Sequence, residues 1–262
     1  MHPIWLWFHK QGSPPIFYRF AGKLMPWFWC AAIVLGAIGL YLGLLRAPAD
    51  YLQGESARIM YLHVPSAWMS MFIFAFMAFC GALALIWHVK ISEVLMISAA
   101  PIGMGFTAVT LITGSLWGRP TWGTFWVWDA RLTSELVLLF LYFGVIGLFH
   151  AFDDRRKGAR AAAILALIGL VNLPIIHYSV TWWNTLHQGS SINLLAGKNT
   201  IDASMLWPLL VMAIATKFWF AASLMARARV EVLEMEAGKD WVQQLLPGYI
   251  DQSTSTPAEP TP

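Results

Sequence analysis

The chain has 262 residues, 58% of them hydrophobic and 12% charged, with a net charge of +3. A soluble domain carries about a quarter charged residues, so this composition excludes an ordinary soluble enzyme. The basic residues are scattered beside apolar stretches with no basic arm among them, which excludes a nucleic-acid binder.

Taken in chain order, the first lysine, Lys10, follows an aromatic patch, and no small-residue cleavage site follows a short apolar core. The first apolar stretch is therefore expected to stay as a membrane helix. Ser13-Pro14-Pro15 ahead of Ile-Phe-Tyr-Arg-Phe predicts the capped start of a short interfacial helix. Six stretches then reach the roughly 20 apolar residues that a spanning helix needs, near 26–45, 62–87, 95–116, 134–152, 161–180 and 205–225. The fold class is an all-α integral membrane protein with six transmembrane helices. Pro101 with Gly103 and Gly105, and Asn172 with Pro174, predict kinks in the third and fifth spans. Cys30 and Cys80 lie inside apolar stretches and form no C-x-x-C motif, so no redox dithiol is indicated. No internal repeat is present. The sequence divides into an N-terminal segment (1–25), a membrane domain (26–226) and a tail (227–262). From about Pro247 the tail is rich in Pro, Ser and Thr, which predicts disorder.

Six spans place both termini on one side. That side collects Lys10, Arg19, Lys23, Lys90, Arg155, Arg156, Lys157, Arg160, Arg227, Arg229 and Lys239, against Arg46, Arg58, Arg119, Arg131 and Lys198 on the other. The excess of cations predicts cytoplasmic termini. Loops near 46–61, 117–133 and 181–204 then lie outside.

The middle loop carries Trp117, Trp122, Trp126 and Trp128 within twelve residues, broken by Gly118, Pro120 and Gly123. One or two tryptophans would read as an interfacial belt. Four with Phe125 suit a flat conjugated ligand, because indole faces stack on such rings. Gly118 and Pro120 predict that the third helix ends there. Trp122 and Trp126, four apart, suit a helical turn, and Trp126 and Trp128, two apart, suit extended chain. Asp129 precedes the fourth span and reads first as its N-cap, second as a ligand contact.

Three histidines share that side: His63 in Tyr-Leu-His-Val-Pro, His177 inside the fifth span, and His187 in Thr-Leu-His-Gln-Gly. Haem iron takes an axial imidazole on each face, and Arg58, Arg119 and Arg131 are placed to meet propionates. Spacing alone does not choose between His177 and His187.

The stretch Trp117-Gly-Arg-Pro-Thr-Trp-Gly-Thr-Phe-Trp-Val-Trp-Asp129-Ala-Arg-Leu-Thr-Ser-Glu135 resembles the tryptophan-rich WWD signature of haem-handling membrane proteins. Within that superfamily, Ala-Pro-Ala-Asp-Tyr at 47–51, Tyr-Leu-His-Val-Pro at 61–65, Phe-Asp-Asp-Arg-Arg at 152–156 and Asn-Leu-Pro-Ile-Ile-His-Tyr-Ser-Val at 172–180 resemble the cytochrome c maturation protein C (CcmC) family. The resemblance covers about 14–230. It implies a haem-binding and transfer protein, not an enzyme, at the outer face of the bacterial inner membrane, acting in c-type cytochrome biogenesis. His63 and His187 would be the axial ligands, with Trp117, Trp122, Trp126, Trp128, Asp129, Arg58 and Arg131 around a transient, non-covalent haem b. The implied partners are the haem chaperone CcmE, the small membrane protein CcmD and the ABC-type pair CcmA and CcmB. Phe125 departs from the pattern, standing where another tryptophan is expected. It keeps an aromatic face and loses an indole N–H. Two rival classes are a b-type cytochrome subunit, which buries paired histidines deep between helices, and a transmembrane haem transporter, which shows polar midplane residues or repeats. Only Asn172 and Lys217 are polar at such depth.

Overall fold

Without water, backbone N–H and C=O groups must pair within their own segment, so long apolar runs become helices. The computed structural model describes residues 13–187, 192–193, 198–199 and 201–247. Six of its helical segments are long and apolar enough to cross a membrane. Helix α1 (Pro14–Leu40) closes in a π-helical stretch, Tyr41–Arg46. A 3-10 turn, Glu55–Ile59, leads into α2 (Met60–Trp87), followed by α3 (Lys90–Trp122) and α4 (Ala130–His150). The fifth span is α5 (Arg155–Gly169) and α6 (Asn172–Trp182), the sixth is α7 (Ala203–Met235), and α8 (Asp240–Leu245) follows. Ile192–Asn193 (β1) and Lys198–Asn199 (β2) pair antiparallel in the loop before α7. The expected all-α class holds, with that hairpin as its only addition among the described residues. Consecutive spans alternate, so the connecting residues 47–54, 123–129 and 183–187 share one end of the bundle.

Several boundaries differ from those expected. The separate interfacial helix is instead the first turns of α1, with proline at its opening positions, where a missing N–H costs no bond. Helix α3 passes both Gly118 and Pro120 and ends at Gly123, whose φ of 79° takes the left-handed conformation glycine favours. The Thr121 hydroxyl donates to the Trp117 carbonyl (2.6 Å) in that last turn. At Pro101 α3 is unbroken. The fifth span does break, at Leu170–Val171 just ahead of Asn172, whose Nδ2 donates to the Ser134 carbonyl of α4 (2.9 Å). Asp202 caps α7, accepting from Ser204 N (2.8 Å) and Ser204 Oγ (2.6 Å), and these bonds hold its carboxyl below the usual range. The predicted disordered end, like the first twelve residues, lies outside the described residues.

Helix α2 packs along α3, α4 along α5, and α1 along α7. The core gathers Met69, Ile73, Phe74 and Met77 of α2 with Leu138 and Tyr142 of α4 and the small residues Ala162, Ala163 and Ala166 of α5. Tyr142 is fully buried. Its hydroxyl donates to the Ser70 carbonyl (2.7 Å), and its ring stands edge-on to Phe74, 5.1 Å between centroids. At the end opposite the loops above, Arg155 on α5 joins Glu93 of α3 (3.5 Å) and Glu231 of α7 (3.0 Å).

Gly103 is what admits Tyr142, since a Cβ there would lie 2.2 Å from the tyrosine oxygen. Overpacking of this kind costs about 1–3 kcal/mol. Gly103→Ala is therefore expected to lower the thermal unfolding midpoint in detergent. Gly105→Ala, whose Cβ meets nothing within 4 Å, should leave it unchanged or raise it, and equal losses in both would contradict this packing.

Candidate functional site

The first turn of α2 carries His63, buried at 9% exposure. Its Nδ1 lies 3.1 Å from the Thr110 carbonyl and 3.0 Å from Thr113 Oγ1, both on α3. A carbonyl only accepts, so Nδ1 carries the proton, and the neutral ring keeps its lone pair on Nε2. That is how a protein orients an imidazole for metal ligation. Gly114, one turn beyond Thr110, leaves room for the ring, since a Cβ there would sit 3.0 Å from His63 Cε1.

Trp117 stands edge-on to His63 with centroids 5.7 Å apart, and its indole N–H donates to Gln53 Oε1 (2.8 Å). The chain after α6 brings in His187, whose ring lies 6.4 Å from that of His63 at 34° between planes. Trp122 lies 6.3 Å from His187. A cavity of about 410 Å³ opens among these groups, lined also by Trp126, Arg131, Leu132 and Glu135. That volume is in the range of small-molecule sites, about 300–1,000 Å³. Leu186 lines it while remaining 54% exposed, which places a mouth at this loop.

Its polar groups are few and distinct. Arg131 donates through Nη1 to the Ile176 carbonyl (2.9 Å), which fixes the guanidinium at the wall. Glu135, buried at 6% exposure, accepts from Ser70 Oγ (2.8 Å). The Trp126 indole N–H is buried without a hydrogen-bond partner among the described residues. Buried donors are ordinarily satisfied, so this one suits an acceptor on a ligand. Among the described residues no group of three or more His, Cys, Asp or Glu gathers. The described site thus offers a metal two imidazoles, a set that suits an iron already held by a macrocycle.

Of the candidate residues, His63, His187, Trp117, Trp122, Trp126 and Arg131 line the cavity, and Trp128, Asp129 and Arg58 do not. Trp128 is 78% exposed and packs edge-on against Trp126 (5.4 Å). Asp129 is the N-cap of α4, its Oδ1 accepting from Leu132 N (2.8 Å). Arg58 pairs with Glu55 and donates to the Gly43 (3.0 Å) and Ala47 (2.9 Å) carbonyls, so it braces the loop after α1. Arg119 donates to the Gly123 carbonyl and lies over Phe125. His177 is exposed, with its ring against Tyr178, and is not among the lining residues. Trp122 closes α3 and Trp126 lies in irregular chain, so the two do not share a helical turn. Gly118 serves as space for Trp122, whose Cε3 a Cβ would approach to 2.9 Å. Glu135, Gln53 and Thr110 were missing from the sequence reading. For Glu135 a signal existed, since it sits four residues after Arg131 and shares its helix face.

The profile of the "Heme exporter protein C" family matches residues 7–243. The chain belongs to the heme exporter protein C family. It is 50% identical over 243 residues to Heme exporter protein C of Escherichia coli strain K12, which covers 93% of this chain and 98% of the relative. Heme exporter protein C of Haemophilus influenzae is 48% identical over 242 residues, covering 92% and 98%. A Marchantia polymorpha mitochondrial protein described as "cytochrome c biosynthesis ccmC-like" is 44% identical over 207 residues, covering 79% and 85%. Family membership thus spans the membrane helices, the tryptophan stretch and both cavity histidines.

The cap assignment of Asp129 has a direct check. Asp129→Ala should cost about 1 kcal/mol of stability, whereas Asp129→Asn, which still caps, should cost little. Equal losses in thermal denaturation would contradict a capping role.

Proposed function

We propose that this chain binds haem in the cavity between His63 and His187 and passes it on during c-type cytochrome biogenesis. The observation that carries the reading is the pair of imidazoles, 6.4 Å apart across a cavity walled by tryptophans. Two metal–nitrogen bonds of about 2 Å each, plus the distance from each nitrogen to its own ring centre, come to about 6 Å. The names of the family relatives support the same ligand and pathway.

In this reading His63 is held ready by Thr110, and His187 arrives on the loop that forms the mouth. Trp117 and Trp122 limit the tilt of the macrocycle, and Trp126 with Arg131 takes a propionate by an indole N–H and a guanidinium. Haem supplies the iron that the two imidazoles hold, and the chain supplies orientation and a water-poor wall. Fixed orientation at an open mouth favours hand-over to an acceptor. The acceptor in this proposal is the chaperone CcmE, with CcmD and the ABC-type CcmA and CcmB as further members of the assembly. The haem is b-type and non-covalently held. The cation excess at the termini's end of the bundle supports cytoplasmic termini, and with them a cavity at the periplasmic face of the bacterial inner membrane.

The chain purified with haem is expected to show a bis-histidine Soret spectrum. His63→Ala and His187→Ala should each lose it, and His177→Ala should keep it. An unchanged spectrum in both of the first two variants would overturn the ligand assignment. Trp126→Phe keeps the ring and removes the donor, so haem affinity should fall about tenfold in a titration of apoprotein. An unchanged affinity would contradict a propionate at that N–H.

A further inference from the structure

Lys217 lies on α7 and is exposed on the outside of the bundle. At 1.5 Å per residue it stands about 22 Å from the Asp202 cap and about 15 Å from Arg227. Polar ends about 38 Å apart enclose the roughly 30 Å hydrocarbon layer, so the lysine sits well inside that layer. Helical side chains tilt toward the helix N-terminus, which here points away from the nearer polar end and works against snorkelling. Its ammonium instead stands over the Phe72 ring of α2, 5.6 Å from the centroid. None of the ion pairs among the described residues includes it.

A charge at this depth is costly, and one aromatic contact offsets only part of the cost. Beside it, Phe72 and Phe79 are seven residues apart on one face of α2, 49% and 60% exposed, and Ile214 on α7 is 47% exposed. Together they form an apolar face with a single cation in it. A second copy of this chain cannot neutralise that cation: among the described residues Glu135, in the second turn of α4, is the carboxylate furthest from a span end, and it is buried. We infer that the α2–α7 face seats a transmembrane helix of another protein, whose Asp or Glu pairs with Lys217 within the membrane. The complementary charge selects the partner, since intramembrane ions are stabilised by pairing with one another.

The test is photo-cross-linking in the native membrane of producing cells, with a photo-reactive phenylalanine analogue in place of Phe79 and the adduct mapped by mass spectrometry. The expected adduct is a membrane span of a different protein that contains Asp or Glu. Its yield should fall at least tenfold in Lys217→Met and persist in Lys217→Arg. Lys217→Gln replaces the Met variant if that variant does not accumulate. Lys217→Glu combined with Lys in place of the partner's carboxylate should restore the adduct. Adducts only to lipid, adducts to a second copy of this chain, a span without a carboxylate, no adduct, or a yield indifferent to Lys217→Met would each overturn the inference.

Discussion

The contact from His63 Nδ1 to the Thr110 carbonyl is the interaction on which the site depends. It crosses from α2 to α3 and fixes which nitrogen of the ring carries the proton. The lone pair is thereby left on Nε2. Gly114 lets the two helices approach closely enough for this bond. The edge-on contact of Trp117 follows from the same approach, one turn further along α3. Without that bond Nδ1 would keep only the Thr113 hydroxyl, which can donate as well as accept, and the tautomer would no longer be fixed.

A second layer of polar contacts holds α4 at the correct angle to the cavity. Ser70 accepts from Tyr142 through its carbonyl and donates through its hydroxyl to Glu135, so one residue of α2 grips α4 at two points. Asn172 adds a third tie, from α6 to the Ser134 carbonyl. These groups are buried, and buried polar groups stabilise only when paired. Their pairing orients the first turns of α4, where Arg131 and Glu135 line the cavity. On α6, beyond the break, the Ile176 carbonyl accepts from Arg131.

The six spans were legible in the sequence, since apolar length is a local property, and His63, His187, Trp117, Trp122 and Trp126, singled out by motif, all line one cavity. The end of α3 was not. Gly118 and Pro120 read as stop signals, yet Gly118 is small to admit the Trp122 ring, and that need is set by a tertiary contact. Arg58 looked like a propionate ligand by its charge and side of the membrane. In the fold it donates to the carbonyls of Gly43 and Ala47, up to fifteen residues back. Glu135 escaped because its partner Ser70 is 65 residues away. The choice of His187 over His177 rests on family resemblance; in the fold His177 lies outside the cavity lining, while the chain after α6 carries His187 into it.

The central claim is that His63 and His187 act on one ligand from opposite sides. The most direct measurement is low-temperature electron paramagnetic resonance of the ferric haem-loaded chain, with and without nitrogen-15 histidine. The account predicts a low-spin, six-coordinate iron whose hyperfine couplings report two histidine nitrogens. A high-spin five-coordinate iron, or coupling to one histidine only, would contradict it.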